Sequence, residues 1–186
     1  MEHEGFRISP VEDFSIFAGF SCLSPDDTDR DLDEFITCDA ERHYQDKIAV
    51  TYQFQSAAAC EKSLMPIGFA TLQNDAITNP NPADLPAVCQ AYNYKAFPAV
   101  KIGRFGIHLD LQRQSFGSLF LYMLKVLLTT DNRTGCRYIT VDARRDKANK
   151  VNVTGFYKRN QFAVLPCLPK TSTYVPMYFD LINFRA

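Results

Sequence analysis

The sequence predicts an α/β (α+β) protein, one mixed sheet with helices on both faces. Three observations point there. Several short segments alternate apolar and polar residues, Ile48–Phe54 most clearly. One segment, Leu119–Leu128, is apolar on nearly every face, as a buried helix is. The inferred order is strand, helices, three strands, helix, strand, helix, strand, and the 186 residues suit one domain, 1–186.

Phe6–Phe20 alternates loosely and is expected to hold a first strand and its turn. Ser24-Pro25-Asp26-Asp27 has the composition of a helix start, with acids in the first turns. Leu32, Phe35, Ile36, Ala40 and Tyr44 then share a helical face, and Asp31, Asp33, Glu34 and Glu41 take the others. Ile48, Val50, Tyr52 and Phe54 fall on one side of a strand. Ser56–Glu61 reads as a turn or strand end, and Pro66–Leu72 as the antiparallel partner strand. Asn74–Phe97 is expected to be a long connection, because Asn79-Pro80-Asn81-Pro82 suits neither a helix nor a central strand; Pro86–Tyr94 has room for a short helix.

Val100–Ile107 is the next strand, and the polar, small-residue stretch Gln112–Ser118 leads from it into the apolar helix. A long helix entered this way leaves its first N–H groups without intrahelical partners at the positive end of its dipole, an arrangement that favours anions. Arg137–Val141 is a strand, Asp142–Lys150 is strongly polar and basic, Asn152–Asn160 is a helix, and Phe162–Leu165 and Tyr174–Ile182 are the last strands.

Charge is placed unevenly. Residues 1–94 carry 5 Lys and Arg against 16 Asp and Glu, while residues 95–186 carry 15 against 5. The basic half contains the polar turn, which suits a polyphosphate or a nucleic acid on that side. Met1–Gly5 has no signal-peptide character, and the most apolar run is too short to span a bilayer and contains Lys125. The expectation is a cytoplasmic protein with no membrane partner. The six cysteines show no paired spacing and the three histidines no metal spacing, so free thiols and no metal site are expected. No Gly-x-Ser-x-Gly elbow, Walker loop or Rossmann fingerprint is present.

Gln112-Arg113-Gln114-Ser115-Phe116-Gly117 resembles the pyrophosphate loop of the GCN5-related N-acetyltransferase (GNAT) superfamily, whose pattern is Q/R-x-x-G-x-G/A, with Ser115 at a glycine position. Arg104-Phe105-Gly106-Ile107 resembles the strand before that loop. Phe156-Tyr157-Lys158-Arg159-Asn160-Gln161-Phe162 resembles the superfamily's F-Y-x-K-x-G-F segment, with Gln161 at the glycine and the lysine shifted. Thr173–Leu181 is similar to the last strand of some bacterial members. The resemblance spans most of the chain, from about Ser24 to Leu181.

It implies a splayed GNAT-like sheet, with acetyl-coenzyme A as co-substrate between Val100–Ile107 and Arg137–Val141. The activity implied is acetyl transfer from the thioester to a primary amine. The pyrophosphate falls to backbone N–H groups of Arg113, Gln114, Ser115, Phe116, Gly117 and Ser118, with Gln112 at the mouth and Arg113 adding a side-chain contact. A bulge near Phe105, Gly106 and Ile107 is expected to aim a strand N–H at the thioester oxygen. Tyr157 matches the tyrosine that protonates the departing thiolate; the alternative for it is an aromatic packed on the core. No glutamate follows Glu61 to act as base. Lys101, Arg104 and His108 are the side chains available near the strand, and His108 suits a structural role better. A water chain or an already neutral amine then serves, which points to acceptors of low pKa such as an aminoacyl ester.

The acceptor amine is that of a small molecule, a peptide or aminoacyl-tRNA. The aminoacyl-tRNA reading, that of the superfamily's toxin branch, draws on Arg144, Arg145, Lys147, Lys150, Lys158 and Arg159 as a basic face for RNA and ranks second. A third alternative, prompted by the two replaced glycines, is an acyl-coenzyme A-binding or interaction module without catalysis. A homodimer is compatible with all three.

Overall fold

A computed structural model describes residues 1–23, 30–57, 65–78, 92, 94–132, 135–146, 151–165 and 173–184. The fold is mixed α/β. Among the described residues nine strands, β1 (Glu2–His3), β2 (Phe6–Pro10), β3 (Val50–Ser56), β4 (Gly68–Thr78), β5 (Ala96–Ile107), β6 (Tyr138–Asp146), β7 (Val151–Asn152), β8 (Ala163–Val164) and β9 (Tyr174–Asp180), accompany α1 (Asp31–Glu34), α2 (Ala40–Gln45), α3 (Phe116–Thr130) and α4 (Thr154–Arg159). The chain divides into two compact units: Met1–Gln73 with Ile102–Leu127, and Asn74–Lys101 with Leu128–Ala186.

In the first unit the strand order is β1-β2-β3-β4-β5. Glu4 and Gly5 both take positive φ between β1 and β2, as a two-residue hairpin requires. β2 pairs antiparallel with β3, and β3 with β4, Phe54 lying opposite Gly68 and Val50 opposite Leu72. The antiparallel neighbours expected for Ile48–Phe54 and Pro66–Leu72 are therefore present. The inward set is not as expected: Ile48 is 54% exposed and Val50 36%. Lys47 reverses the chain at φ 59, so Ile48 sits ahead of the strand rather than within it.

One face of this unit buries Phe17, Phe20, Phe35, Ile36, Ala40 and Phe69. A π-type segment, Phe35–Asp39, separates α1 from α2 and turns consecutive Phe35 and Ile36 inward. α3 opens at Phe116, three residues before the apolar run, and buries Phe120, Leu121, Met123 and Leu124. Phe120 stacks on Phe54 at 4.9 Å and meets Phe105 at 5.2 Å.

In the second unit the order is β4-β5-β6-β9-β8, with β7 on β6. β6 pairs antiparallel with β9 over seven residues, from Tyr138–Asp180 to Arg144–Tyr174. The Arg137 guanidinium donates to both Asp180 oxygens at 2.7 and 2.9 Å, clamping one end of that pair. Two expected boundaries move. Asn74–Thr78 and Ala96–Phe97 are strand, so the connection is shorter than Asn74–Phe97, because Ile77 and Phe97 reach a core with Ala99 and Tyr138. The strand expected over Arg137–Val141 runs on to Asp146, because Arg145 pairs with Asn152 and Arg144 with Tyr174. The Ser24 helix start, Asn79–Pro82, most of Pro86–Tyr94, Lys147 and Lys150 lie outside the described residues.

Cys22, Cys38 and Cys136 are free thiols. Among the described residues no helix is long and apolar enough to cross a membrane, and no cluster of ligands suits a metal.

Candidate functional site

The end of β5 is shaped by its glycines. A Cβ on Gly106 would strike the Cys22 sulfur and, at 2.7 Å, the Phe69 ring, so the strand runs tight beneath that layer. Arg104 faces the same way: its guanidinium lies 5.1 Å over the Phe35 ring, donates from a terminal nitrogen to Asp31 of α1 at 3.3 Å, and holds its Nε 3.2 Å from the other Asp31 oxygen as an ion pair. Gly103 also points there, since its Cβ would meet the Gln73 side chain at 3.1 Å, and Gln73 shares a face of β4 with Phe69. Two consecutive residues facing one side is the signature of a bulge. It breaks the alternation between Gly103 and Arg104, one residue before the Phe105–Ile107 stretch, and turns Phe105 toward α3.

The chain then leaves the sheet through tethered backbone. His108 N–H donates to the Ile67 carbonyl at 2.8 Å and Leu109 N–H to Ser21 at 2.9 Å. The Gln112 side-chain amide donates to the Cys22 carbonyl at 2.6 Å and the Ile107 carbonyl at 3.0 Å. Gln112 thus braces the base of the loop. Gln114 donates to the Asp110 carbonyl at 2.9 Å, a second brace.

On either side of the second brace, Arg113 takes φ 60 and Ser115 φ 67, both in the left-handed region. Backbone that alternates into this region turns successive N–H groups to one side and forms an anion-binding hollow. The Ser115 carbonyl accepts from Ser118 N–H at 3.0 Å and Leu119 N–H at 3.1 Å, so Ser118 already has a partner. Among the described residues no acceptor stands opposite the N–H groups of Phe116 and Gly117. They cap a helix of 15 residues, so the full dipole effect applies. The Phe116 ring, 5.8 Å from Phe6, anchors the first turn. Arg113, Gln114 and Ser115 are exposed.

Tyr157 belongs to the second unit. It is buried in α4 against Phe156 and Phe162, with ring centroids at 5.1 and 5.4 Å. Burial alone pushes its phenol above the ordinary tyrosine range, so it is fully protonated at neutral pH. Its segment is a complete helix stop. Gln161 takes φ 68, its N–H donates to the Lys158 carbonyl at 2.9 Å, and Phe162 N–H donates to Tyr157 at 3.0 Å. This is a Schellman motif, including the apolar contact between Phe162 and Tyr157. Gln161 is the left-handed residue of that motif and stands where the resembled segment has glycine.

The three side chains weighed as bases have other occupations. Arg104 is paired with Asp31. His108 packs edge-on to Phe20 at 5.4 Å, and its Nδ1 accepts from Asp110 N–H at 3.4 Å. Lys101 holds Asp142 at 2.5 Å. The carboxylates of Asp75 and Asp142, which line a pocket in the second unit, carried no motif in the sequence. Only the alternation of β4 and β6 would have placed them on one face. Of the basic residues considered for RNA, Arg144 pairs with Asp146 at 3.0 Å, and Lys158 and Arg159 are exposed at the end of α4.

No protein-family model and no curated protein matches this chain. Solved structures do. AtaT complexed with acetyl-methionyl-tRNAfMet aligns over 94% of each chain at 21% identity and TM-score 0.69. A tyrosine-to-phenylalanine mutant of KacT aligns over 96% of each at 19% and 0.68. A tyrosine-to-phenylalanine mutant of the AtaT toxin, bound to acetyl-CoA and the C-terminus of the antitoxin AtaR, aligns over 96% of this chain and 95% of that one at 18% and 0.67. At these identities what is shared is the fold, a GNAT-like one that spans nearly the whole chain.

Proposed function

We propose that this chain is an acetyl-coenzyme A-dependent N-acetyltransferase. The observation that carries the reading is the braced turn before α3, where Arg113 and Ser115 are left-handed and the Phe116 and Gly117 N–H groups have no acceptor among the described residues. Backbone donors at the positive end of a long helix suit a diphosphate, and the exposed Arg113 guanidinium adds a charge-assisted contact. Acetyl-coenzyme A supplies the activated acyl group. An N–H of the strand from Phe105 to Ile107, just past the bulge, is the donor for the carbonyl oxygen as the amine adds and the carbon–sulfur bond breaks; one such donor is typically worth about 3 kcal/mol. Tyr157 holds its proton at neutral pH and is the group assigned to the departing sulfur. A thiolate is a good leaving group, so this help is partial.

For the acceptor, the α-amine of aminoacyl-tRNA is the reading that a specific observation favours. AtaT, which shares this fold, is seen with acetyl-methionyl-tRNAfMet. Such an amine is at least about half neutral near pH 8 and needs no strong base, in keeping with the occupied states of Arg104, His108 and Lys101.

Calorimetry with acetyl-coenzyme A tests the first claim: saturable binding is expected, with S-acetyl-pantetheine, which lacks the diphosphate, separating the loop's share. Absence of binding ends the reading. Acetylation of charged tRNA, measured beside a panel of small amines, tests the second; equal or better turnover on small amines removes the tRNA acceptor.

A further inference from the structure

The second unit holds a pocket of roughly 200 Å³ that the cradle before α3 does not use. Pockets for whole cofactors run to about 300–1,000 Å³, so this one suits a group of a few heavy atoms. Asp75, Lys101, Thr140 and Asp142 supply its polar lining, and Ile77, Leu165, Pro176 and Met177 much of its apolar lining. The polar groups are held. Thr140, itself 5% exposed, donates to Asp75 Oδ2 at 2.5 Å, and Asp75 Oδ1 accepts from Ala76 N–H at 2.8 Å. Lys101 Nζ lies 2.5 Å from Asp142 Oδ2. The apolar side is fixed too, since Leu165 N–H donates to the Pro176 carbonyl at 2.9 Å.

Among the described residues that line it there are two carboxylates and one lysine, a formal charge of minus one. Lys101 lies against Asp142, and among the described residues the donors to Asp75 are the neutral Thr140 hydroxyl and Ala76 N–H. A carboxylate ligand would meet like charge here. A cation relieves it, and the apolar residues ask that the cation carry an aliphatic chain. We propose that this pocket binds an aliphatic primary ammonium, and that the class includes an α-amino acyl group with an apolar side chain. The proposal rests on the acetyltransferase reading for the fate of the amine, but not for its binding.

The test is a binding titration on the full chain, followed by amide NMR shifts or calorimetry, with leucinamide as probe. Leucinamide is expected to saturate. N-acetyl-leucinamide, which lacks the ammonium, and glycinamide, which lacks the chain, are each expected to bind at least tenfold more weakly. Asp142→Asn and Asp75→Asn should each weaken leucinamide about tenfold at unchanged melting temperature; using both guards against one variant failing to fold. No saturation by leucinamide, equal binding of its acetylated form, or indifference to both substitutions overturns the proposal. Acetyl-coenzyme A is titrated into the same sample. If it binds and leucinamide does not, only the pocket is wrong. If leucinamide binds and acetyl-coenzyme A does not, the acetyltransferase reading falls and the ammonium site stands.

Discussion

Ser115 and Gln161 stand in the same backbone state for different reasons. Both are non-glycine residues at positive φ, 67 and 68, and both occupy positions where the resembled superfamily has glycine. Ser115 precedes the 15 residues of α3, where the N–H groups of Phe116 and Gly117 meet no acceptor among the described residues. Gln161 follows the six residues of α4 and turns N–H groups inward, onto Lys158 and Tyr157. One left-handed residue opens a helix to a ligand, and the other closes a helix on itself. A glycine in a motif therefore marks a conformation, and only the direction of the donors around it says whether that conformation binds anything.

Charge should separate the two most sharply. Ser115→Asp keeps a residue that tolerates left-handed backbone but places a carboxylate in the cradle. Acetyl-coenzyme A affinity is expected to fall about 100-fold, or ~2.7 kcal/mol, by calorimetry. Gln161→Asp should leave that affinity within twofold. Equal losses would mean that the two turns do not differ in the way their donors suggest.

The helix behind the cradle carries its own liability. Lys125 is 5% exposed, and burial lowers its ammonium to about 8. In the unfolded chain it titrates near 10.4. Below pH 8 the folded state keeps a desolvated charge; between about 8 and 10.4 the unfolded state binds more protons, so this group's contribution to stability rises with pH and then levels off. Lys125→Met is expected to raise the melting temperature at pH 7 by about 5 °C, from a gain on the order of 2 kcal/mol. The gain should vanish by about pH 10.5. A gain independent of pH would assign it to packing instead.

Periodicity carried much of this molecule. The β3–β4 pair, the apolar α3 and the last strand follow from alternation and helical spacing in the residues themselves. The strand ends did not follow, because Asp142–Asp146 and Asn74–Thr78 are polar segments kept in the sheet by partners distant in sequence. Lys47 hid the entry to β3, since nothing in a lysine announces a left-handed turn. At the candidate site the loop was visible through Gln112 and Gly117, yet its braces were not: Gln112 reads as a ligand residue and works as a tether to Cys22 and Ile107. The pocket of Asp75, Lys101, Thr140 and Asp142 needed the sheet to bring three strands together before it existed at all.

Tyr157 tests the closed turn from its other side. If it serves only the Schellman contact with Phe162, Tyr157→Phe preserves the ring and changes nothing. If its proton reaches the leaving sulfur, turnover falls about tenfold or more while acetyl-coenzyme A affinity holds. The expected outcome is a loss of about tenfold in kcat with an unchanged melting temperature. An unchanged kcat returns Tyr157 to the core.

The smallest effect bears most directly on the pair. A left-handed residue with a Cβ costs about 1–2 kcal/mol relative to its right-handed form, and glycine removes that cost while adding unfolded-state entropy of somewhat smaller size. Ser115→Gly and Gln161→Gly should therefore each stabilise the chain by about 0.5–1 kcal/mol in denaturant unfolding. They should part company in binding. Removing the Ser115 side chain widens the approach to the Phe116 and Gly117 N–H groups, so acetyl-coenzyme A should bind a few-fold more tightly, whereas Gln161→Gly moves no donor that faces outward. Equal stabilisation with a binding gain confined to position 115 is what two identical conformations with opposite donor directions must produce. A binding gain at position 161 as well would mean that the turn after α4 also faces the ligand.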